Sequence, residues 1–208
     1  MLESAATQWD DIFQRDGRIF LEPALVVIEF VQRLVEIGNL RVLDVGCGSG
    51  RHLVCMSNLG LQAFGMDNSQ SGLRLAKQWL DEQGGTAGLV HADMRFPFPF
   101  RTASFDALIS TQVIHHAHLA TVQTTVQEIS RVVRPGGHIL ISVPARVDDG
   151  EDFEEIEPGT FIPLSGSEKG LPHHIFTSEE LPGLFASFET LDVSVRGDVV
   201  IVYQGMKK

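Results

Sequence analysis

The chain has 208 residues, 43% hydrophobic and 21% charged, which is the composition of a soluble globular protein of about one domain. A formal net charge of −11 opposes non-specific attraction to nucleic acid or to an anionic membrane. The two cysteines, Cys47 and Cys55, provide neither a disulfide framework nor zinc-ligand spacing, and they read as reduced residues of a cytoplasmic protein. The start, "MLESAATQWDD", lacks the cationic and apolar regions of a signal peptide, and the longest apolar stretch is broken by Glu29, Gln32 and Arg33.

In chain order, Trp9, Phe13 and Phe20 stand in a segment, residues 1–22, that precedes any regular pattern. Pro23 then suits the first turn of a helix over "PALVVIEFVQRLVEI". "LRVLDV" reads as a buried strand and Arg51 to Leu59 as a helix. "LQAFGMD" is a second strand, and Ser69 is placed to cap a helix carrying Leu73, Ala76 and Leu80. "AGLVHAD" and "SFDALIS" are the third and fourth strands. Val122, Val126, Ile129 and Val133 mark a helix face that Pro135 stops, and "HILISV" is a fifth strand. Residues 144–176 fit no regular element and include seven carboxylates between Asp148 and Glu157. Thr177 and Glu180 have the spacing of a capping box, so a last helix is expected. "FETLDVSVR" and "VVIVYQGMK" are separated only by Gly197 and Asp198, which permits an antiparallel hairpin and no parallel crossover.

Alternating strands and helices predict an α/β fold: a doubly wound, mostly parallel sheet with helices on both faces and an antiparallel strand near one edge. One domain, 1–208, is expected, with the 144–176 segment as a substrate loop.

"VLDVGCGSGRH" explains what the first strand is for. Gly46, Gly48 and Gly50 crowd a place where side chains ought to pack, and glycine there lets backbone approach a ligand beside a helix N-terminus. The spacing is G-x-G-x-G, with Arg51 next, and differs from the G-x-G-x-x-G dinucleotide fingerprint. No G-K-[ST] phosphate loop follows, so a nucleoside-like ligand without a diphosphate fits best.

Residues 42–143 resemble the catalytic domain of class I S-adenosylmethionine-dependent methyltransferases. "VLDVGCGSG", "GMDNS", "ADMRFPFPFRTASFDALIS" and "ISRVVRPGGHILISVP" match that family's motifs in order. The resemblance implies a seven-stranded sheet of order 3-2-1-4-5-7-6 and S-adenosyl-L-methionine as cofactor. It implies that Asp44 steadies the loop and the methionine part of the cofactor, and that Gly46, Cys47, Gly48 and Gly50 cradle it. Asp67, with Asn68 beside it, would accept hydrogen bonds from the ribose diol, the alternative being a helix-capping aspartate. Asp93 would accept from the adenine amino group and Met94 would lie against the ring, unless Met94 is plain core. Thr111 and Gln112 would flank the methionyl end.

His116 and His174 are the candidate catalytic bases, because imidazole titrates near working pH. His115, His118 and His173 are neighbours that can equally be structural. No metal is expected, since His116 with His174 lacks local ligand spacing. The acidic run at 148–157 is either a solvated loop or an attractor of a cationic acceptor. Residues 1–22 are either a lid over the site or a hydrophobic staple. The expected function is methyl transfer to a small molecule, with RNA disfavoured by charge and by the absence of N-P-P-[YF] after the fourth strand. The alternatives are a cofactor-binding module without catalysis and, disfavoured by Arg51, an NAD-dependent oxidoreductase.

Overall fold

Two helices, α1 (Ala5–Asp16) and α2 (Leu25–Ile37), lead into the alternation that the apolar pattern foretells. It runs β1 (Arg41–Val45), α3 (Arg51–Asn58), β2 (Gln62–Asp67), α4 (Gln70–Glu82), β3 (Ala87–His91), β4 (Phe105–Thr111), α5 (Leu119–Val132) and β5 (Val133–Pro144). Three short strands, β6 (Phe153–Glu157), β7 (Thr160–Pro163) and β8 (His173–His174), precede α6 (Glu180–Leu184), β9 (Phe188–Arg196) and β10 (Val200–Lys207). This computed structural model describes residues 5–38, 40–146 and 152–208. Residues 148–151 of the expected acidic run lie outside the described residues.

The main sheet has seven strands in the order β3-β2-β1-β4-β5-β10-β9. β9 and β10 are its sixth and seventh strands in sequence, so the order is the expected 3-2-1-4-5-7-6. β1 through β5 pair in parallel, and β10 alone runs antiparallel to both of its neighbours. The sheet is buried on both faces, which β1 shows residue by residue. Val42 joins the apolar cluster under α2, α3 and α4, whereas Leu43 and Val45 join the cluster under α5 and α6. That alternation is the period of a strand covered on two sides.

The helices follow local rules with two adjustments. In α2, Val27, Phe30, Val31 and Leu34 are buried at i, i+3, i+4 and i+7, each contributing about 1.5–3 kcal/mol of apolar burial. Its first helical residue is Leu25 and its extended cap is Ala24, so Pro23 sits before the helix and not in its first turn. Ser69 caps α4, its Oγ accepting from Gly72 N–H at 2.9 Å. α5 ends at Val132, and Val133, expected on the helix face, already belongs to β5.

The 144–176 segment corrects the sequence reading, because it folds into a three-stranded antiparallel sheet, β6-β7-β8. That sheet is tied to the main domain by polar bonds. The Leu119 N–H, left uncapped by His118, donates to Glu157 Oε1 at 2.8 Å. The His174 N–H donates to the His115 carbonyl at 2.8 Å.

Gly50, the α3 N-cap, has φ +92°, and a Cβ there would stand 2.8 Å from Ala76 Cβ and 3.0 Å from Ala76 Cα on α4. Gly60 has φ +80° with open space around it. Gly60→Ala is therefore expected to cost only the left-handed backbone penalty, about 1–2 kcal/mol. Gly50→Ala adds overpacking of about 1–3 kcal/mol. Urea unfolding with unchanged m-values checks this, and equal losses would contradict the close α3–α4 contact.

Candidate functional site

The carboxyl ends of β3, β2, β1, β4 and β5 open onto one cavity of about 420 Å³, in the range that holds a single small ligand. Its centre is the β1–α3 turn. The N–H groups of Gly46 and Cys47 both donate to the Met66 carbonyl, at 2.7 and 3.2 Å, which folds the turn across the end of β2. A Cβ at Gly46 would come within 2.3 Å of Val113, so the backbone must be bare there. Gly48 and Gly50 continue the same turn at positive φ. The Cys47 thiol faces away from the cavity, toward Gly65 of β2, where an added Cβ would meet its Sγ at 2.7 Å. Burial raises its pKa well above that of an ordinary thiol. Cys47 thus offers the cavity its backbone.

Two buried carboxylates flank this turn. Asp44, expected at the cofactor, is fully buried behind the turn and does not line the cavity, and neither of its oxygens has a hydrogen-bond partner. Its nearest cationic candidate is His52 Nδ1, at 3.6 Å. Asp67 accepts from Ser69 N–H through Oδ1 at 2.8 Å and from Gly48 N–H through Oδ2 at 2.7 Å. Burial raises its pKa to about 6, with those two N–H groups opposing and Asp44 adding to the rise. Each Asp67 oxygen keeps a lone pair, because a carboxylate has about four acceptor sites.

The remaining sequence-derived residues line the same cavity, with differences in detail. Asn68 lies beside Asp67, and its carbonyl is 2.9 Å from His91 Nε2. Asp93 is held by the Arg95 guanidinium, so an incoming amine would meet a carboxylate that is already paired. Met94 both lines the cavity and packs against the core, and its carbonyl accepts from Thr125 Oγ1 at 3.0 Å. Thr111 ends β4, and Gln112 follows with φ +56°, a strained conformation for a side-chain-bearing residue. The Gln112 N–H donates to the Ser142 carbonyl at 2.9 Å, which holds that conformation in place.

At the other end of the cavity stand His115, His116, His173 and Glu168, with Phe153 and Trp9 beside them. The His115 and His116 rings lie 3.8 Å apart, and the His173 ring is 4.9 Å from that of His116. Burial pulls His115 well below the usual histidine range and His116 down to about 4, so both are neutral at pH 7. Burial works against ionisation of Glu168, but His173 and His116 outweigh it and hold its carboxyl low.

The candidate base His174 does not reach this site. Neighbouring residues of a strand point to opposite faces, and β8 turns His173 into the cavity and His174 away. His174 is buried, with Nδ1 2.8 Å from Thr160 Oγ1, and Thr160 in turn donates to Glu157 at 3.0 Å. Sequence reasoning missed Glu168, whose only signal is a carboxylate five residues before a histidine in a glycine-bearing loop. It also missed Asp10, which accepts from Ser69 Oγ at 2.9 Å and Ser71 N–H at 2.7 Å and so fastens α1 to α4. The described carboxylates of the acidic run do not line the cavity, and Glu157 is spent on capping α5.

Sheet order, bare turn and buried acids define a doubly wound domain with a ligand cavity at the carboxyl ends of its strands. Residues 43–141 match a family model described as a methyltransferase domain. The ubiquinone biosynthesis O-methyltransferase of Maricaulis maris is 34% identical over 104 residues, covering 49% of this chain and 39% of that protein. The mouse tRNA (carboxymethyluridine(34)-5-O)-methyltransferase ALKBH8 is 37% identical over 120 residues, 56% of this chain and 16% of that protein. A Burkholderia thailandensis 1,6-didemethyltoxoflavin-N1-methyltransferase, solved with S-adenosylhomocysteine, superposes with a TM-score of 0.74 at 19% identity, covering 98% and 88% of the two chains. The chain therefore spans well under half of these two curated relatives. Residues 43–141 are thus similar in sequence, and the whole sheet in strand order, to class I S-adenosylmethionine-dependent methyltransferase domains.

The residues fit that family's cofactor. The bare turn at Gly46 and the spare acceptor sites of Asp67, both in the cavity lining, suit a ligand with a ribose diol.

The elevated Asp67 pKa sets a pH dependence. With Asp67 as the expected acceptor of a ribose diol, ionisation strengthens the bond, and affinity for S-adenosylhomocysteine is expected to fall as pH drops through about 6, by up to about tenfold between pH 7 and pH 5. Folding responds in the opposite sense, because the native state holds the extra proton between about pH 4 and 6 and this group's contribution declines as pH rises there. Calorimetry at both pH values checks the binding, and Asp67→Asn should bind weakly without the slope. Thr160→Val, which orphans His174, is expected to cost about 1–3 kcal/mol of stability and leave cofactor affinity intact. Chemical denaturation beside the same titration separates those outcomes.

Proposed function

We propose that this protein transfers the methyl group of S-adenosyl-L-methionine to a small-molecule acceptor. The observation that carries the reading is the continuity of one cavity, from the Asp67 carboxylate past the glycine turn to the histidine cluster. The cofactor supplies an activated methyl group on a sulfonium. Asp67 holds the ribose diol, Asp44 steadies the turn from behind, and Asp93 with Met94 takes the adenine side. Thr111 and Gln112 flank the methionyl end and set the line along which the acceptor approaches. Holding the two reactants aligned can account for about 7–11 kcal/mol of barrier.

The α1 helix acts as a cover. Phe13 rests on Gly48, and the Trp9 ring is 5.6 Å from that of His116, so α1 lies over the centre of the cavity and its histidine end. Neutral imidazoles at the acceptor end can hold a proton from a hydroxyl or thiol as the new bond forms. The net charge of −11 and the modest cavity support a small acceptor over the tRNA that the mouse relative's name specifies. No described helix is long and apolar enough to cross a membrane, and the free cysteines suit a cytoplasmic setting.

Calorimetry with S-adenosylhomocysteine and NAD, followed by labelled-methyl transfer to small hydroxylated aromatics, thiols and amines, tests the reading. S-adenosylhomocysteine is expected to bind and NAD not, with Asp67→Ala weakening binding at least about tenfold and abolishing transfer. Tight cofactor binding without transfer to any acceptor would favour a non-catalytic module.

A further inference from the structure

We propose that His116, Glu168 and His173 form a site for a zinc-type divalent cation at the acceptor end of the cavity, leaving a position open for an oxygen of the acceptor. The second half rests on the methyltransferase reading; the cation site itself does not.

The three ligand atoms lie within 4.8 Å of one another although they come from separate segments: the β4–α5 loop, the β7–β8 loop and β8. Glu168 Oε2 is 3.1 Å from His173 Nε2, and Oε1 is 4.0 Å from His116 Nε2. Ligands at zinc-like bond lengths stand about 3–3.5 Å apart, so closing the set needs side-chain shifts on the order of 1 Å. Two imidazoles and one carboxylate are donors that suit zinc in a site with an open position, whereas calcium and magnesium favour all-oxygen sets.

The surroundings hold this set in place and leave it unsatisfied. His116 is wedged between the Trp9 and His115 rings. Gln8 of α1 donates to the carbonyls on either side of Glu168, to Ser167 at 3.2 Å and Lys169 at 2.8 Å, and so fixes the turn that presents the carboxylate. Yet His173 Nε2 is buried without a properly aligned hydrogen bond, and so is Nδ1 of His115, a residue only 4% exposed. Buried polar atoms without partners call for a ligand, and a cation drawing in the His173 nitrogen would supply it.

His115 stays outside the ligand set and faces the same space. A cation-bound hydroxyl of the acceptor is more acidic than a free one. The hydroxyl proton leaves to solvent, the oxygen lone pair forms the bond to the methyl carbon, and the carbon–sulfur pair stays on sulfur.

The full chain, stripped with a chelator and exchanged into clean buffer, is titrated with Co²⁺ alone and followed by visible d–d absorption. One saturable equivalent, displaced by Zn²⁺, is expected. Glu168→Gln and His173→Ala should each weaken it at least about tenfold, while the exposed His118→Ala leaves it unchanged. S-adenosylhomocysteine affinity within about twofold of the parent shows that each variant is folded. No saturable band, or a band of equal affinity in both ligand variants, overturns the proposal. A normal Co²⁺ band in a chain that fails to bind S-adenosylhomocysteine would sink the methyltransferase reading and leave the cation site standing.

Discussion

The Asp67 carboxylate is the joint on which this molecule turns. One oxygen takes the Gly48 N–H from the β1–α3 turn and the other takes the Ser69 N–H from the β2–α4 turn, so a single side chain locks two neighbouring strand ends. Ser69 caps α4 and also donates to Asp10, which brings α1 onto the same joint. Burial works against ionisation of Asp10, but the bonds from Ser71, Ser69 and Gln14 outweigh it and hold its pKa at about 2. Three helices and two strands thus meet at two carboxylates.

Such a joint is not arranged for stability alone. Asp67 sits with a raised pKa, Asp44 is buried nearby without a partner, and Gln112 is held at positive φ across the cavity. Each feature is unfavourable in isolation and understandable where a ligand completes it. The same contrast runs to the far end, where the partly unpartnered His115 and His173 sit near Trp9 and Phe153.

How much of this was legible in the sequence depended on the range of the interactions. The glycine turn, the Ser69 cap and the α2 stripe follow rules spanning a few residues, and the resemblance of "GMDNS" to a family motif points to Asp67. The reversed strand was readable because a two-residue connection allows only one geometry. The β6-β7-β8 sheet was hidden, since its strands are short, mostly half-exposed and without clear alternation. With it went the choice between His173 and His174, which depends on the pairing of Phe161 with His173 and Thr160 with His174. Glu157 looked like one charge in a run, and its task of capping α5 is set across 38 residues. Glu168 and Asp10 were invisible for the same reason.

The bonds that fasten the small sheet carry a lesson about how this architecture can diversify. The Glu157 bond to Leu119 and the His174 bond to the His115 carbonyl join the insertion to the very loop that bears the site's histidines. The insertion is therefore no detachable cassette: a graft from a cousin with a different pocket would have to bring along its own helix cap and its own anchor on that loop. New chemistry in this scaffold is bound to arise through compensated exchanges that alter both partners at once.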